Sequence, residues 1–230
     1  MPIVRDIRLH IDPVDVLRQQ AGQRQGNVNP SLKSLVEELH SQVADQNLIQ
    51  PEVAFELFPI DAVRDNRVIL ESGAVLEGRR LAIHFGSAKM VAGVMCTLGP
   101  RLDDRVSAFH GEDNELESML LDGIGTLAVN ALGAEACHQV KDRAESDGLQ
   151  ASGPLSPGLF GLPMENQTVL HRLVQGERIG ITLTPGLMMI PNKSLSMIIG
   201  IGESMETWEK AEACSWCNMK HHCTFRVPEA

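Results

Sequence analysis

The stretch from Asn114 to Ser146 constrains this chain most. Leu116, Met119, Leu120, Ile124, Leu127, Ala128, Ala131 and Leu132 recur there at spacings of three and four. That is the period of one helix face, and it predicts a single helix about 50 Å long at roughly 1.5 Å per residue. Gly123, Gly125 and Gly133 sit inside it. Each interior glycine costs about 0.5–1 kcal/mol relative to alanine. Three of them argue for close approach by another backbone or a ligand, and tight packing of the helix on a sheet is the preferred reading.

The other segments arrange themselves around that helix. Asp12-Pro13 and Asn29-Pro30 are helix starts, with a side-chain cap followed by proline in the first turn. The first helix ends near Gly22, and the second carries Leu32, Leu35, Val36, Leu39 and Val43 on one face. A strand-rich block follows, with Val53–Ile60, Val68–Glu71, Leu81–Phe85 and Met90–Leu98 as the expected strands. Residues 102–109 read as a short helix, and 147–164 as a Gly/Pro/Ser-rich loop of functional length. A helix over Glu165–Gln175 and strands at Arg178–Thr184 and Leu195–Gly202 complete the pass. Strands and helices do not alternate as βαβ units, so the expected fold is α+β with a mainly antiparallel, twisted sheet and packed helices. One domain over 1–205 and a cysteine-rich tail over 206–230 is the expected organisation.

Charge and composition exclude several functions. With 30 acidic against 20 basic residues the net charge is −10, which repels a polyanion, so nucleic acid is not an expected partner. No residue is tyrosine, so no phenol serves as an acid or a ring platform. The N-terminus MPIVRDIRLHIDPV lacks the apolar stretch of a signal peptide, and runs such as Leu195–Ile201 are too short to span a bilayer. A cytoplasmic protein with reduced thiols is expected. No phosphate-binding P-loop, HExxH or GxSxG motif occurs.

Two segments carry a family pattern. One is Ser156-Pro157-Gly158 followed by Gly161-Leu162-Pro163 and Gln167. The other is Ile179-Gly180-Ile181-Thr182-Leu183-Thr184 followed by Met188-Met189-Ile190-Pro191-Asn192-Lys193-Ser194-Leu195-Ser196. Together they resemble the activation domain of cobalamin-dependent methionine synthase and its short stand-alone relatives. Val16-Leu17-Arg18 and Thr97-Leu98-Gly99 extend the resemblance over nearly the whole chain. It implies a shallow groove that binds S-adenosylmethionine against the Pro-Gly loop, here at Ser156, Pro157, Gly158 and Leu159. An acidic residue on the long helix would assist, at Glu135, with Asn130 competing for that position. It also implies that a corrinoid-binding protein or cobalamin methyltransferase brings the cobalamin, and that a redox partner supplies the electron for reductive methylation of Co(II). The domain itself orients the donor. The family loop reads Arg-x-[Ala/Ser]-Pro-Gly-Tyr, whereas Pro154 and Leu159 stand at its arginine and tyrosine positions. Proline cannot make the bidentate carboxylate contact of an arginine. The two segments are expected to shape one groove between Pro157-Gly158 and Pro191–Ser196.

The tail reads Cys214-Ser-Trp-Cys217-Asn-Met-Lys-His-His-Cys223. A C-x2-C pair points two sulfurs at one metal, and Cys223 adds a third thiolate. His221, His222, Cys96 and, less favoured, Cys137 are the candidates for a fourth ligand. All-cysteine ligation favours an iron–sulfur cluster, and a histidine favours zinc. Two functions follow: a corrinoid reactivation partner, or a non-enzymatic iron–sulfur or zinc-bearing adaptor that keeps the fold without the donor.

Overall fold

A computed structural model describes residues 3–5, 7–20, 29–159, 161–208, 210–215 and 220–222. Its strands are β1 (Ile3–Val4), β2 (Glu52–Arg64), β3 (Arg67–Leu70), β4 (Val75–Glu77), β5 (Met90–Thr97), β6 (Gln150–Leu155), β7 (Thr182–Leu183), β8 (Met189–Ile190) and β9 (Ser194–Gly202). Its helices are α1 (Val14–Gln20), α2 (Pro30–Asp45), α3 (Arg79–His84), α4 (Arg101–Gly111), α5 (Glu115–Ser146), α6 (Asn166–Leu173) and α7 (Lys210–Ser215). The main sheet runs β4-β3-β2-β5-β9-β6, with β1 also paired to β2. Each pairing is antiparallel, so the expected α+β class with a mainly antiparallel sheet holds.

Side chains alternate across a strand, and the two central strands are buried on both faces. Ala92, Val94 and Cys96 of β5 and Met197, Ile199 and Ile201 of β9 join α1, α2 and α5 in one apolar cluster. Val91 and Ile198 point the other way, into a cluster with Leu81, Phe85, Leu155, Leu162, Leu170 and Trp208. The long helix is α5, as its pattern predicts, and its glycines serve packing. A Cβ at Gly125 would lie 2.3 Å from Leu102 Cδ2, and one at Gly133 would lie 2.8 Å from Leu195 Cδ1. The expected cap of α2 is also present, with Asn29 Oδ1 accepting the Ser31 N–H at 2.9 Å.

Three expectations are corrected. Leu81–Phe85 alternates like a strand but forms most of α3. Leu81 and Phe85, four residues apart, are both fully buried while Ile83 is 61% exposed, which is a helical and not a strand pattern. Arg178–Thr184 is a 3₁₀ turn at Gly176–Ile179 followed by the short strand β7. Left-handed backbone at Gln175 and Gly180 brackets that turn.

The third correction concerns the loop over 147–164, whose first part is the edge strand β6. Its register shifts between Ala151 and Pro154. The Ser152 hydroxyl fills the gap in the ladder by accepting the Gly200 N–H at 2.9 Å. An edge strand tolerates Pro154 because one side of it needs no ladder donor.

The chain after β9 folds back over this edge. Gly153 N–H reaches Glu206 O at 3.4 Å, and Met205 N–H reaches Gln150 Oε1 at 3.2 Å. The Trp208 indole lies flat on Gly153, where a Cβ would come within 2.3 Å of the ring. Its Nε1–H donates to Pro154 O at 3.3 Å. Covering an edge strand in this way blocks pairing with other chains. Met205, Trp208 and Ala213 share one cluster, although the expected domain boundary falls at 205/206.

The glycine packing gives a test. Gly125→Ala should destabilise the fold by about 1–3 kcal/mol in urea unfolding, because overpacking against Leu102 outweighs the helix-propensity gain of up to ~1 kcal/mol. A neutral or stabilised variant would mean that the contact between α4 and α5 is loose.

Candidate functional site

The segment from Ser156 to Met164 leaves the sheet edge as a chain of nested turns. Leu159 N–H bonds to Ser156 O at 3.2 Å, Leu162 N–H to Leu159 O at 2.9 Å, and Gly158 N–H to Leu162 O at 3.0 Å. Gly158 has φ of +88°, a conformation that side chains resist. A Cβ there would also sit 2.6 Å from Met164 Cε.

Two consecutive side chains at the start of α6 fix this loop. Asn166, 2% exposed, pairs with the backbone of Glu77 as a strand residue would. Its Oδ1 accepts the Glu77 N–H at 2.8 Å, and its Nδ2 donates to Glu77 O at 2.7 Å. The same Nδ2 donates to Pro163 O at 2.9 Å. Gln167, 4% exposed, faces the other segment. Its Oε1 accepts from Ser196 Oγ at 2.6 Å, and its Nε2 donates to Leu187 O at 3.3 Å. Arg80 N–H reaches Gly161 O at 3.4 Å, so the loop is held along its length.

The result is a surface concavity of about 480 Å³ between this loop and the start of α3. Gly78 and Arg79 line one side, and Gly158, Leu159, Gly161, Leu162, Pro163 and Met164 line the other. Close approach at the base depends on Gly78, where a Cβ would meet Gly161 O at 2.7 Å. The walls are largely apolar, and the charged side chain among these residues is Arg79.

The positions expected from sequence fall as follows. Gly158 and Leu159 line the concavity, while Ser156 and Pro157 form the turn behind them. Glu135 lies on α5, where its Oε1 accepts from Gln139 Nε2 at 3.0 Å, and it does not line the concavity. Pro191–Ser196 touches the loop's support through Ser196 and Gln167 but lies outside the lining. This concavity is formed by the loop and the β4–α3 corner, not by the two segments together. Asn166, Gly78 and Arg79 were not anticipated. Asn166 lies between the motif's Pro163 and Gln167 without belonging to it, and Gly78-Arg79 lies some eighty residues away in sequence.

Of the tail, Cys214 is described and half-buried, and His221 and His222 are exposed. Cys217 and Cys223 lie outside the described residues. Among the described residues no group of three His, Cys, Asp or Glu is placed to hold a metal ion. Cys96 and Cys137 lie away from Cys214. Both belong to the α5 face of the sheet, whereas Ala213, beside Cys214, packs on the opposite face. Burial pushes the Cys96 thiol up to about 12 and the Cys137 thiol up to about 11. Among the described residues no helix is long and apolar enough to cross a membrane.

Comparison with known proteins places the fold. No family model matches the chain, and no curated protein matches it. Among solved structures, the crystal structure of the MetH reactivation domain bound to AdoHcy matches with a TM-score of 0.63 at 11% sequence identity, over 97% of this chain and 86% of that one. The chain thus has the fold of the MetH reactivation domain.

Proposed function

We propose that this chain is the reactivation partner of a corrinoid methyltransferase and holds an S-adenosyl ligand in the concavity at the Pro157-Gly158 turn. The observation that carries this reading is a coincidence of place. The turn that resembles the family's donor-binding loop forms a wall of a concavity, on a fold shared over 97% of the chain with a domain crystallised with AdoHcy.

The residues fit such a ligand. The volume of about 480 Å³ falls within the roughly 300–1,000 Å³ of small-molecule sites. Leu159, Leu162, Pro163 and Met164 offer an apolar wall for a nucleoside, and the glycines let backbone approach it. Arg79 supplies a cation for a carboxylate. When bound, S-adenosylmethionine supplies an electrophilic methyl group on a sulfonium. The chain's part is to bind and orient it. Asn166 and Gln167 hold the loop before the ligand arrives, which reduces the ordering cost of binding. The cobalamin would come with the partner methyltransferase, and the electron from a redox partner.

The tail is read as a second site. Cys214, Cys217 and Cys223 would ligate an iron–sulfur cluster, with zinc as the other candidate. Packing of Trp208 and Ala213 against the body would carry that site beside β6. The adaptor reading, with a metal but no donor, is favoured by Pro154, which removes the family's arginine.

Calorimetry distinguishes the two functions. S-adenosylmethionine and S-adenosylhomocysteine should each give a saturable one-to-one isotherm. Gly158→Val, checked for an intact fold by its melting curve, should weaken both at least about tenfold, a loss of about 1.4 kcal/mol. No heat from either compound would leave the adaptor. For the tail, anaerobically purified protein should contain iron and acid-labile sulfide, both lost on Cys214→Ser. Stoichiometric zinc without iron would assign the site to zinc, and absence of both would remove it.

A further inference from the structure

We infer that Arg79 is the anchor for the carboxylate of the bound amino-acid moiety, replacing from α3 the cation that the family's loop would carry at position 154. This rests on the S-adenosyl reading above. Position 154 does not face the concavity, because its register with Ile199 turns it to the α5 side of the sheet, opposite Leu155 and Leu162. Pro154 is paired with Ile199 at the sheet edge, its carbonyl oxygen accepts from the Trp208 indole, and Gly153 beside it lies under the same ring. The chain's own C-terminal segment covers the other face, at Gly153.

The opposite wall supplies the charge. Arg79 lines the concavity across from Gly158 and Leu159. Its neighbours are otherwise engaged. The Glu77 carboxylate binds Arg67 Nε at 2.9 Å, and a Cβ at Gly161 would lie 3.3 Å from Arg80 Cγ, so the Arg80 stem packs against the loop. Arg79 makes no ion pair with a described carboxylate. Its guanidinium stands beside an apolar wall, and its planar fork suits a carboxylate. The anchor thereby lies at the β4–α3 corner and not on the loop.

Two ligands separate this inference from the reading beneath it. S-adenosylhomocysteine carries the carboxylate, whereas 5′-methylthioadenosine has the same nucleoside and thioether but lacks it. In calorimetry the native chain should bind S-adenosylhomocysteine about tenfold or more tightly than 5′-methylthioadenosine. Arg79→Ala should abolish that preference by weakening S-adenosylhomocysteine alone, and Arg79→Lys should restore part of it. Arg79 lies exposed on the surface, so unchanged melting of the variants is expected and excludes a folding artefact. If Arg79→Ala binds S-adenosylhomocysteine as the native chain does, the anchor is elsewhere and this inference fails while the S-adenosyl reading stands. If both ligands weaken equally, Arg79 only shapes the cavity and the inference also fails. If the native chain binds neither compound, the S-adenosyl reading falls and takes the anchor with it.

Discussion

The side chain of Asn166 holds the site together. A backbone amide at the end of a strand needs partners for both its N–H and its C=O, and β4 ends at Glu77, on the outer strand of the sheet. Asn166 meets both groups and adds a third bond to Pro163. Removing a buried partner costs about 1–3 kcal/mol for each group left unpaired. Gln167 does the matching work toward Ser196 and Leu187. Two adjacent residues on the first turn of α6 thus tie the Pro-Gly loop to the β4–α3 corner on one side and to the β8–β9 segment on the other.

Rigidity of this kind is what a binding concavity needs, and it is expressed here largely in backbone. Nested turns close Ser156 to Leu162, glycines bring Gly78 and Gly161 together, and the apolar cluster of Phe85, Leu155, Leu162, Leu170 and Trp208 supports them from beneath. Burying each of these side chains contributes roughly 1.5–3 kcal/mol. The C-terminal segment has two consequences at once. Trp208 closes the sheet edge over Gly153, and it joins Met205 in the apolar cluster beneath the loop.

Much of this was legible in sequence where one rule dominated. The α5 face follows from hydrophobic period, the start of α2 from its Asn-Pro cap, and β5 and β9 from their apolar runs. Legibility failed where local pattern and tertiary context disagreed. Leu81–Phe85 alternates, yet Leu81 and Phe85 turn together into the core as a helix. Gln150–Leu155 has a loop's composition, yet it is a strand because Ser152 replaces a ladder bond and Trp208 covers the edge. At the site, the Pro-Gly turn was readable as a local motif. Its opposite wall at Gly78-Arg79 was not, because nothing local ties residues eighty positions apart, and the clamp that joins them runs through an ordinary asparagine.

Hydrogen exchange on Asn166→Ala tests the dependence of the site on that clamp most directly. Loss of the clamp should lower global stability by about 2–3 kcal/mol and accelerate exchange at the Glu77 and Arg80 amides well beyond that change, with β5 and β9 amides quickened only as far as global unfolding dictates. Glu77 and Arg80 amides protected as in the native chain would contradict the account, because the loop would then hold its place without Asn166.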